Sequence, residues 1–556
     1  MDCRTPTEIW HRILRYLDPI ELDRLARASS FTHKLIYANS HRQHIWQSQF
    51  LNHFDHPLED DAVRNIFLSH PSTTTLASSH QVDWLHTLAT RIILRNILTT
   101  ADHHRMTELL IKHYPDAQLL ALYDLIFLIL NTAQRTTDSL NLTFLKEVFS
   151  SNPTAQLVMM HQRSTHLDPI FAERASLHDP VVRAAAKLHT LYGLTSYDVS
   201  NSLRTRGMAR ESCYALANYT PHSLYGPFVP DQSCTVNWPH LEALSVVVGL
   251  NLYSIRKQAI DNDHPPNNNN NNRSPTGPPH ELPTLPVDPP LFSMPDTPGY
   301  PHPAGPILQH LGSDHPRLYH THTHTHAAAA ARKPELIPWP ILDSLHASRP
   351  HTQLMHPAYE HPPLPWPPLP SPASDPLPLD LNHYDWAGVS GRWLRVVCYL
   401  DYRLFHDYNF GRKMSTSLND CSEVLRIMTL ELNVIAIGTH PESYEPQHIP
   451  MDVQTNRRDR PPIYFEGTSA YNVGASRNLI VGQAVSQVRG CVSMTVDGEV
   501  RWTLVSTLGG VDRWASEGIQ VGGVRARWGV VGVWSDVNRD EVDGPVGPFY
   551  FFKTSY

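Results

Sequence analysis

The residues of this chain that could do bond chemistry are plentiful but unorganised. Ser, His and Asp recur throughout, yet no G-x-S-x-G elbow, no P-loop, no G-x-G-x-x-G after a strand pattern and no H-E-x-x-H occurs. The stretch "GVSGRW" sets Ser390 between glycines, at the wrong spacing for an elbow. Asp401, Asp497, Asp512 and Asp536 stand near Gly or at the ends of strand-like runs, where turn chemistry accounts for them. The tract from His320 to His326 alternates with Thr, and neutral imidazoles are good Zn²⁺ or Ni²⁺ ligands. A low-complexity repeat has nothing around it to orient ligands, so it reads as a repeat rather than a site. Cys3, Cys213, Cys234, Cys398, Cys421 and Cys491 are far apart, with no C-x-x-C pair. That spacing argues against a thiolate zinc site or a disulfide framework and for a reducing compartment. The expectation is no catalytic residue, no metal and no cofactor.

Binding chemistry has better candidates. Arg501-Trp502 and Arg513-Trp514, with Glu466 and Glu517 in the same region, pair the residue types that dominate binding hot spots. Trp502 sits on the apolar phase of its strand pattern and reads as core, whereas Arg501 and Arg513 read as surface groups. Together with Trp386, Tyr464 and Trp514 they make the candidate target-binding set, and Trp393 adds to the aromatic content.

The elements that would carry these residues follow from composition and period. Residues 1–55 read as helices. Thr5, Pro6 and Glu8 suit the cap, first and third positions of a helix start, and Asp18, Pro19 and Glu21 repeat that signal. Ile9, Trp10, Ile13, Leu14 and Leu17 form one apolar stripe, and Leu22, Leu25, Ala26 and Ala28 form a second. Phe31, Leu35 and Ile36, then Ile45, Trp46, Phe50 and Leu51, mark two more segments. Residues 56–260 continue as a helical scaffold, ending in the turn-rich aromatic stretch "NYTPHSLYGPFVPDQSCTVNW" and an apolar helix. "LLALYDLIFLIL" is too short to span a bilayer and contains Asp124, so it reads as a buried helix. Residues 261–380 hold "NNNNNN", "HTHTHTH" and "HPPLPWPPLPSP", and 29 of the 48 prolines fall between 265 and 380. Such a segment buries too little apolar surface to offset its ordering entropy and reads as a disordered insert.

From residue 381 the period changes to two. "LRIMTLELNVIAIG" alternates apolar and polar, and "CVSMTVDGEVRWTLVS" places Asp497-Gly498 between two alternating runs, the signal of a hairpin with a type I′ turn. Gly509-Gly510 and Gly522-Gly523 would mark bends or bulges. The expected fold class is multidomain α+β: helical N-terminal regions, a long insert, and over residues 381–556 an antiparallel β-sandwich or barrel of six to eight strands.

Charge and hydropathy narrow the partners. The net charge of −8, from 45 basic and 53 acidic residues, offers no basic field for nucleic acid. Glu8 and Arg12 interrupt any secretory pattern at the N-terminus, so the chain reads as neither secreted nor membrane-bound, in cytoplasm or nucleus.

The first fifty residues also resemble a known module. "TPTEIWHRILRYLDPIELDRLARAS", with a later tryptophan, is similar to the F-box. Pro6, Glu8, Ile9, Ile13, Leu14, Leu17, Leu22, Leu25 and Trp46 fall on its positions, and Thr5 departs from the usual leucine. "YDWAGVSGRWLRVVCYLDYRLFHDYNF", "IYFEG", "GPVGPFYFFK" and the stretch from "NYTPHSLYGPF" resemble a fungal group of F-box proteins; a more distant likeness is to the β-barrel substrate domain of mammalian F-box-only proteins. The resemblance implies docking on Skp1 through Pro6, Ile9, Trp10, Ile13, Leu14, Leu17, Leu22, Leu25, Leu35 and Trp46, and through Skp1 a cullin and a RING subunit. It implies a substrate receptor of an SCF-type ubiquitin ligase, with an unknown target held by the β region. The alternatives are a Skp1-bound protein with a non-degradative assembly role, or a β domain that binds a small molecule or glycan.

Overall fold

A computed structural model describes residues 6–38, 42–58, 64, 67, 68, 70, 82–99, 116–133, 139–150, 153–161, 178–263, 381–411, 418, 421, 423–438, 460–471, 485–524, 526, 529–538 and 544–555. The His tract, the proline run from Pro362 to Pro370, Thr5 and Cys3 lie outside these residues.

The N-terminal helices start and stop where their sequence demands. α1 spans Thr7–Leu14 and α2 spans Pro19–Ala28. Asp18 caps α2: its carboxylate accepts from the Ile20 and Glu21 amides, while its own amide donates to Glu21 Oε2 at 3.1 Å. This reciprocal box is the one the Asp-Pro-x-Glu spacing predicts. A short α3 (Ser30–His33) runs into a π-helical turn over Lys34–Ala38, followed by α4 (Arg42–His53). The buried Gln49 amide of α4 donates to the carbonyls of Leu14, Arg15 and Leu17, which satisfies the C-terminal end of α1.

A helical layer follows, with α5 (Trp84–Leu98), α6 (Asp116–Asn131), α7 (Leu140–Ser150), α8 (Pro153–Gln156), α9 (Pro180–Tyr192), α10 (Ser196–Ser200), α11 (Ser202–Cys213) and α12 (Trp238–Asp263). The apolar run read as a buried helix is α6, with Leu122, Tyr123, Ile126 and Ile129 inside. No helix among the described residues is long and apolar enough to cross a membrane.

The C-terminal part is a barrel rather than a sandwich. Eight antiparallel strands follow one another around it: β1 (Gly391–Leu400), β2 (Glu423–Ile437), β3 (Ile463–Tyr471), β4 (Ser486–Met494), β5 (Val500–Leu508), β6 (Val511–Gln520), β7 (Val530–Asp536) and β8 (Val546–Ser555). β8 pairs with β1 and closes the sheet, so no edge is left exposed. Among the described residues, α13 (Tyr402–Phe410) lies in the β1–β2 connection.

Alternation divides the barrel between two cores. Inward-facing Trp393, Phe465, Trp502 and Phe551 meet at ring-centroid distances of 5.3 to 5.6 Å and fill the centre. Gly490 faces Phe465 from the next strand; a Cβ there would lie 2.3 Å from the Phe465 ring and 2.4 Å from the Thr503 carbonyl. Outward-facing Val396, Cys398, Ile519, Val533, Tyr550 and Phe552 join the core of the helical layer. Helices and barrel therefore belong to one compact unit. Its joint includes a polar cluster: Glu423 of β2 accepts from Arg210 Nε and Nη2 at 2.9 and 2.7 Å, from Tyr214 Oη at 2.5 Å and from Asn251 Nδ2 at 2.6 Å.

Two turns differ from expectation. The β4–β5 loop pairs Met494 with Val500, leaving five residues between the strands, and only Gly498 has positive φ. The Thr495 hydroxyl bonds Asp497 Oδ1 and receives the Glu499 amide, which favours this wider loop over a type I′ turn. The two-residue turn with both centres at positive φ lies one hairpin later, at Gly509-Gly510 between the paired residues Leu508 and Val511.

Candidate functional site

The N-terminal helices present two faces. Leu14, Leu22, Leu35 and Trp46 are buried in the chain's own core, and Trp10, Leu17 and Leu25 pack partly against it. Ile9 and Ile13 are each 46% exposed, and Tyr16, Ile20 and Phe31 are also open to solvent. Pro6 is exposed at the start of α1. The geometric reason is helix phase: Ile9 and Ile13 are one turn apart on a face that Leu14 does not share. Trp10 meets Phe31 edge-to-face at 6.0 Å and links this face of α1 to α3. The expected docking residues thus divide into a buried scaffold and the accessible pair Ile9 and Ile13; Tyr16, Ile20 and Phe31 are further exposed apolar residues of the same segments.

The β-region candidates fare differently. Arg501, expected at the surface, is 2% exposed, and this corrects the sequence reading. It does face outward from β5, as alternation requires, but the segment 214–238 lies over it. Arg501 Nε donates to Glu517 Oε2 at 3.0 Å, its guanidinium stacks over Phe228 at 5.0 Å, and Nη1 approaches Cys234 Sγ at 3.6 Å. Gly226 lets this segment come close, because a Cβ there would meet Glu517 Cβ at 2.8 Å. The segment bends through four non-glycine residues at positive φ: Leu224, Tyr225, Gln232 and Cys234. Trp386 is buried, with Nε1 donating to the Pro461 carbonyl, and Tyr464 is buried on β3. Arg513 and Trp514 are half-buried neighbours, the guanidinium 5.5 Å from the indole centre, and Trp514 meets Trp534 edge-to-face at 5.2 Å. Of the five candidates, Arg513 and Trp514 retain accessible surface together.

A third group was not singled out from sequence. His161, His189 and Asp198 are buried and bring their ligating atoms within 4.8 Å of one another. His189 Nε2 lies 3.0 Å from Asp198 Oδ2, and its Nδ1 lies 2.6 Å from Glu242 Oε1 on α12. His161 Nε2 lies 2.6 Å from Thr195 Oγ1 and 3.7 Å from Asp198 Oδ2. Thr195 and Asp198 form the capping box of α10, which fixes the carboxylate. Burial opposes charge on His189, but Asp198 and Glu242 outweigh it and hold the imidazole up to about 10. Burial pushes His161 down to about 4 against the pull of Asp198. Burial also opposes the Asp198 charge, yet the two imidazoles and the Thr195 amide keep its carboxyl below the usual range. Only Thr195-x-x-Asp198 was legible as a local signal; Glu242 is 53 residues from His189 and reaches it through tertiary packing alone.

No protein-family model, curated protein or solved structure matches this chain.

Proposed function

We propose that the chain is a substrate-recognition subunit of an SCF-type ubiquitin ligase, docking on Skp1 through its N-terminal helices. The observation that carries the reading is the set of exposed apolar residues Ile9, Ile13, Tyr16, Ile20 and Phe31, on short helices and the turn between α1 and α2, beside residues whose side chains are already buried. Covering such residues gains about 25 cal/mol per Å² of apolar surface, which favours a partner surface over water. The F-box-like spacing of Pro6, Glu8, Ile9 and Ile13 names Skp1 as that partner. In this reading the barrel presents a target beside a ubiquitin-loaded enzyme, the Arg513–Trp514 pair being its accessible candidate contact, and catalysis is by proximity within the assembly.

Co-expression of the full chain with Skp1 tests this. Ile9→Glu with Ile13→Glu should abolish co-purification and leave the melting temperature close to that of the parent, since both side chains are substantially exposed. Wild-type Skp1 capture by this folded double variant would overturn the assignment. A reconstituted ubiquitination assay on the co-purified target then separates a degradative receptor from an assembly role.

A further inference from the structure

We propose that His161, His189, Asp198 and Thr195 form a binding site for one divalent zinc-class cation, with Glu242 orienting His189. The site is independent of the Skp1 reading and lies in the helical layer, away from the exposed apolar residues of the N-terminal segments.

The donor set has the right chemistry: two imidazole nitrogens and a carboxylate oxygen suit Zn²⁺ and its first-row neighbours. The geometry is close to a coordination shell. Donors about 2.0–2.1 Å from a common centre lie about 3.3 Å apart in a tetrahedron. Asp198 Oδ2 is 3.0 Å from His189 Nε2 and 3.7 Å from His161 Nε2, which brackets that edge. Thr195 Oγ1 hydrogen-bonds this pair, lying 2.6 Å from His161 Nε2 and donating to Asp198 Oδ2 at 2.7 Å, and a cation would draw it in as a neutral fourth oxygen by replacing those bonds. His189 carries the outer partner typical of a metal-bound imidazole: Nδ1 faces the Glu242 carboxylate while Nε2 points at the cluster.

A capping box with a buried ion pair does not explain the whole arrangement. Capping α10 needs Thr195 and Asp198 only, and one imidazole suffices to pair a carboxylate. Here a second imidazole faces the same oxygen, His161 Nε2 lying 3.7 Å from Asp198 Oδ2, and among the described residues Asp198 Oδ1 is buried without a hydrogen-bond partner. Two carboxylates and two imidazoles converge here. The four donors come from the π-helical turn Leu157–His161, from α9 and from the start of α10, so a bound cation would tie three segments of the helical layer together.

The test must separate this site from the His320–His326 tract, whose imidazoles are themselves metal donors by residue type. The full chain lacking residues 320–326 is purified, stripped with chelator, dialysed and titrated with ZnCl₂ or CoCl₂. The expected result is one tightly held zinc per chain by elemental analysis, a rise in melting temperature on reloading, and visible ligand-field bands of four-coordinate Co²⁺. His161→Gln keeps a group able to bond Thr195; it should fold as judged by circular dichroism, lose the cobalt bands and weaken zinc at least tenfold. Asp198→Asn should do the same, or fail to fold, in which case His161→Gln decides. Absence of stoichiometric zinc and of cobalt bands in the parent would overturn the proposal, as would unchanged bands in folded His161→Gln.

Discussion

Arg501 and Glu517 form a buried ion pair on the outer wall of the barrel, with Arg501 Nε 3.0 Å from Glu517 Oε2 and both side chains almost fully enclosed. Thr503 Oγ1 donates to the same carboxylate oxygen at 3.1 Å. Removing one member leaves the other charged in a dry site, which costs about 3–5 kcal/mol, whereas removing both costs far less. Arg501→Met should therefore lower stability in urea unfolding by about that amount. Arg501→Met with Glu517→Gln should recover most of it. Equal losses in the single and double variants would show that the pair is not coupled.

Arg91 is the opposite case. It is fully buried on α5 between the rings of Phe50 and Phe54, at 4.5 and 4.3 Å; among the described residues Nε, Nη1 and Nη2 make no hydrogen bond, and Asp55 is the carboxylate that acts on its charge. Ring faces compensate a guanidinium only in part. Arg91→Met keeps the length and the packing while removing the charge, and should raise stability by about 1–3 kcal/mol. A fall in the unfolding midpoint would mean that the ring contacts outweigh desolvation.

Gly490 tests the filled barrel. Its missing side chain is the space that the Phe465 ring occupies, and the Thr503 carbonyl beside it is backbone that cannot step aside. Gly490→Val should cost at least about 1–3 kcal/mol through overpacking. Gly490→Val with Phe465→Leu should regain part of the loss, read as the melting temperature of the pair against each single variant.

The thiols should be silent in the folded chain. Burial pushes Cys491 up to about 12 and Cys234 up to about 11, and raises Cys213 and Cys398 well above the ordinary thiol range. At neutral pH a thiol near 12 has about a thousandfold less thiolate than an unperturbed one near 8.5. A Cys3→Ser chain should react slowly with a disulfide dye at pH 7, still slowly for Cys491 at pH 9, and fully once unfolded. Cys491 is only half-buried, so rapid labelling of it in the native chain at pH 7 would contradict its raised thiol rather than its exposure.

What was legible in the sequence was local. The Asp18 box, the buried run of α6 and the inward Trp502 each follow from contacts within a few residues or from a strict period. Strand phase likewise placed Arg501 on the outer face of β5, and that part holds. Its burial depends on Phe228 and Cys234, the latter 267 residues earlier, which no local pattern reveals. Closure of the sheet was hidden for a similar reason: it rests on β8 meeting β1 across the whole length of the region. The His161 group needed three segments of the helical layer to assemble before its spacing meant anything.

The shared core of helices and barrel has a consequence for the covalent chain itself. α12 and β1 lie on either side of residues 264–380, yet Asn251 of α12 and Arg210 of α11 already clasp Glu423 of β2, and Lys187 of α9 grips Glu499 in the β4–β5 loop at 2.7 Å. The peptide connection between the halves is thus not what keeps them together. Cutting it with a protease site engineered near residue 300 should give two pieces on a denaturing gel and one particle on a sizing column. Separately expressed pieces should reconstitute that particle only when mixed, since neither half alone covers the apolar face it offers the other.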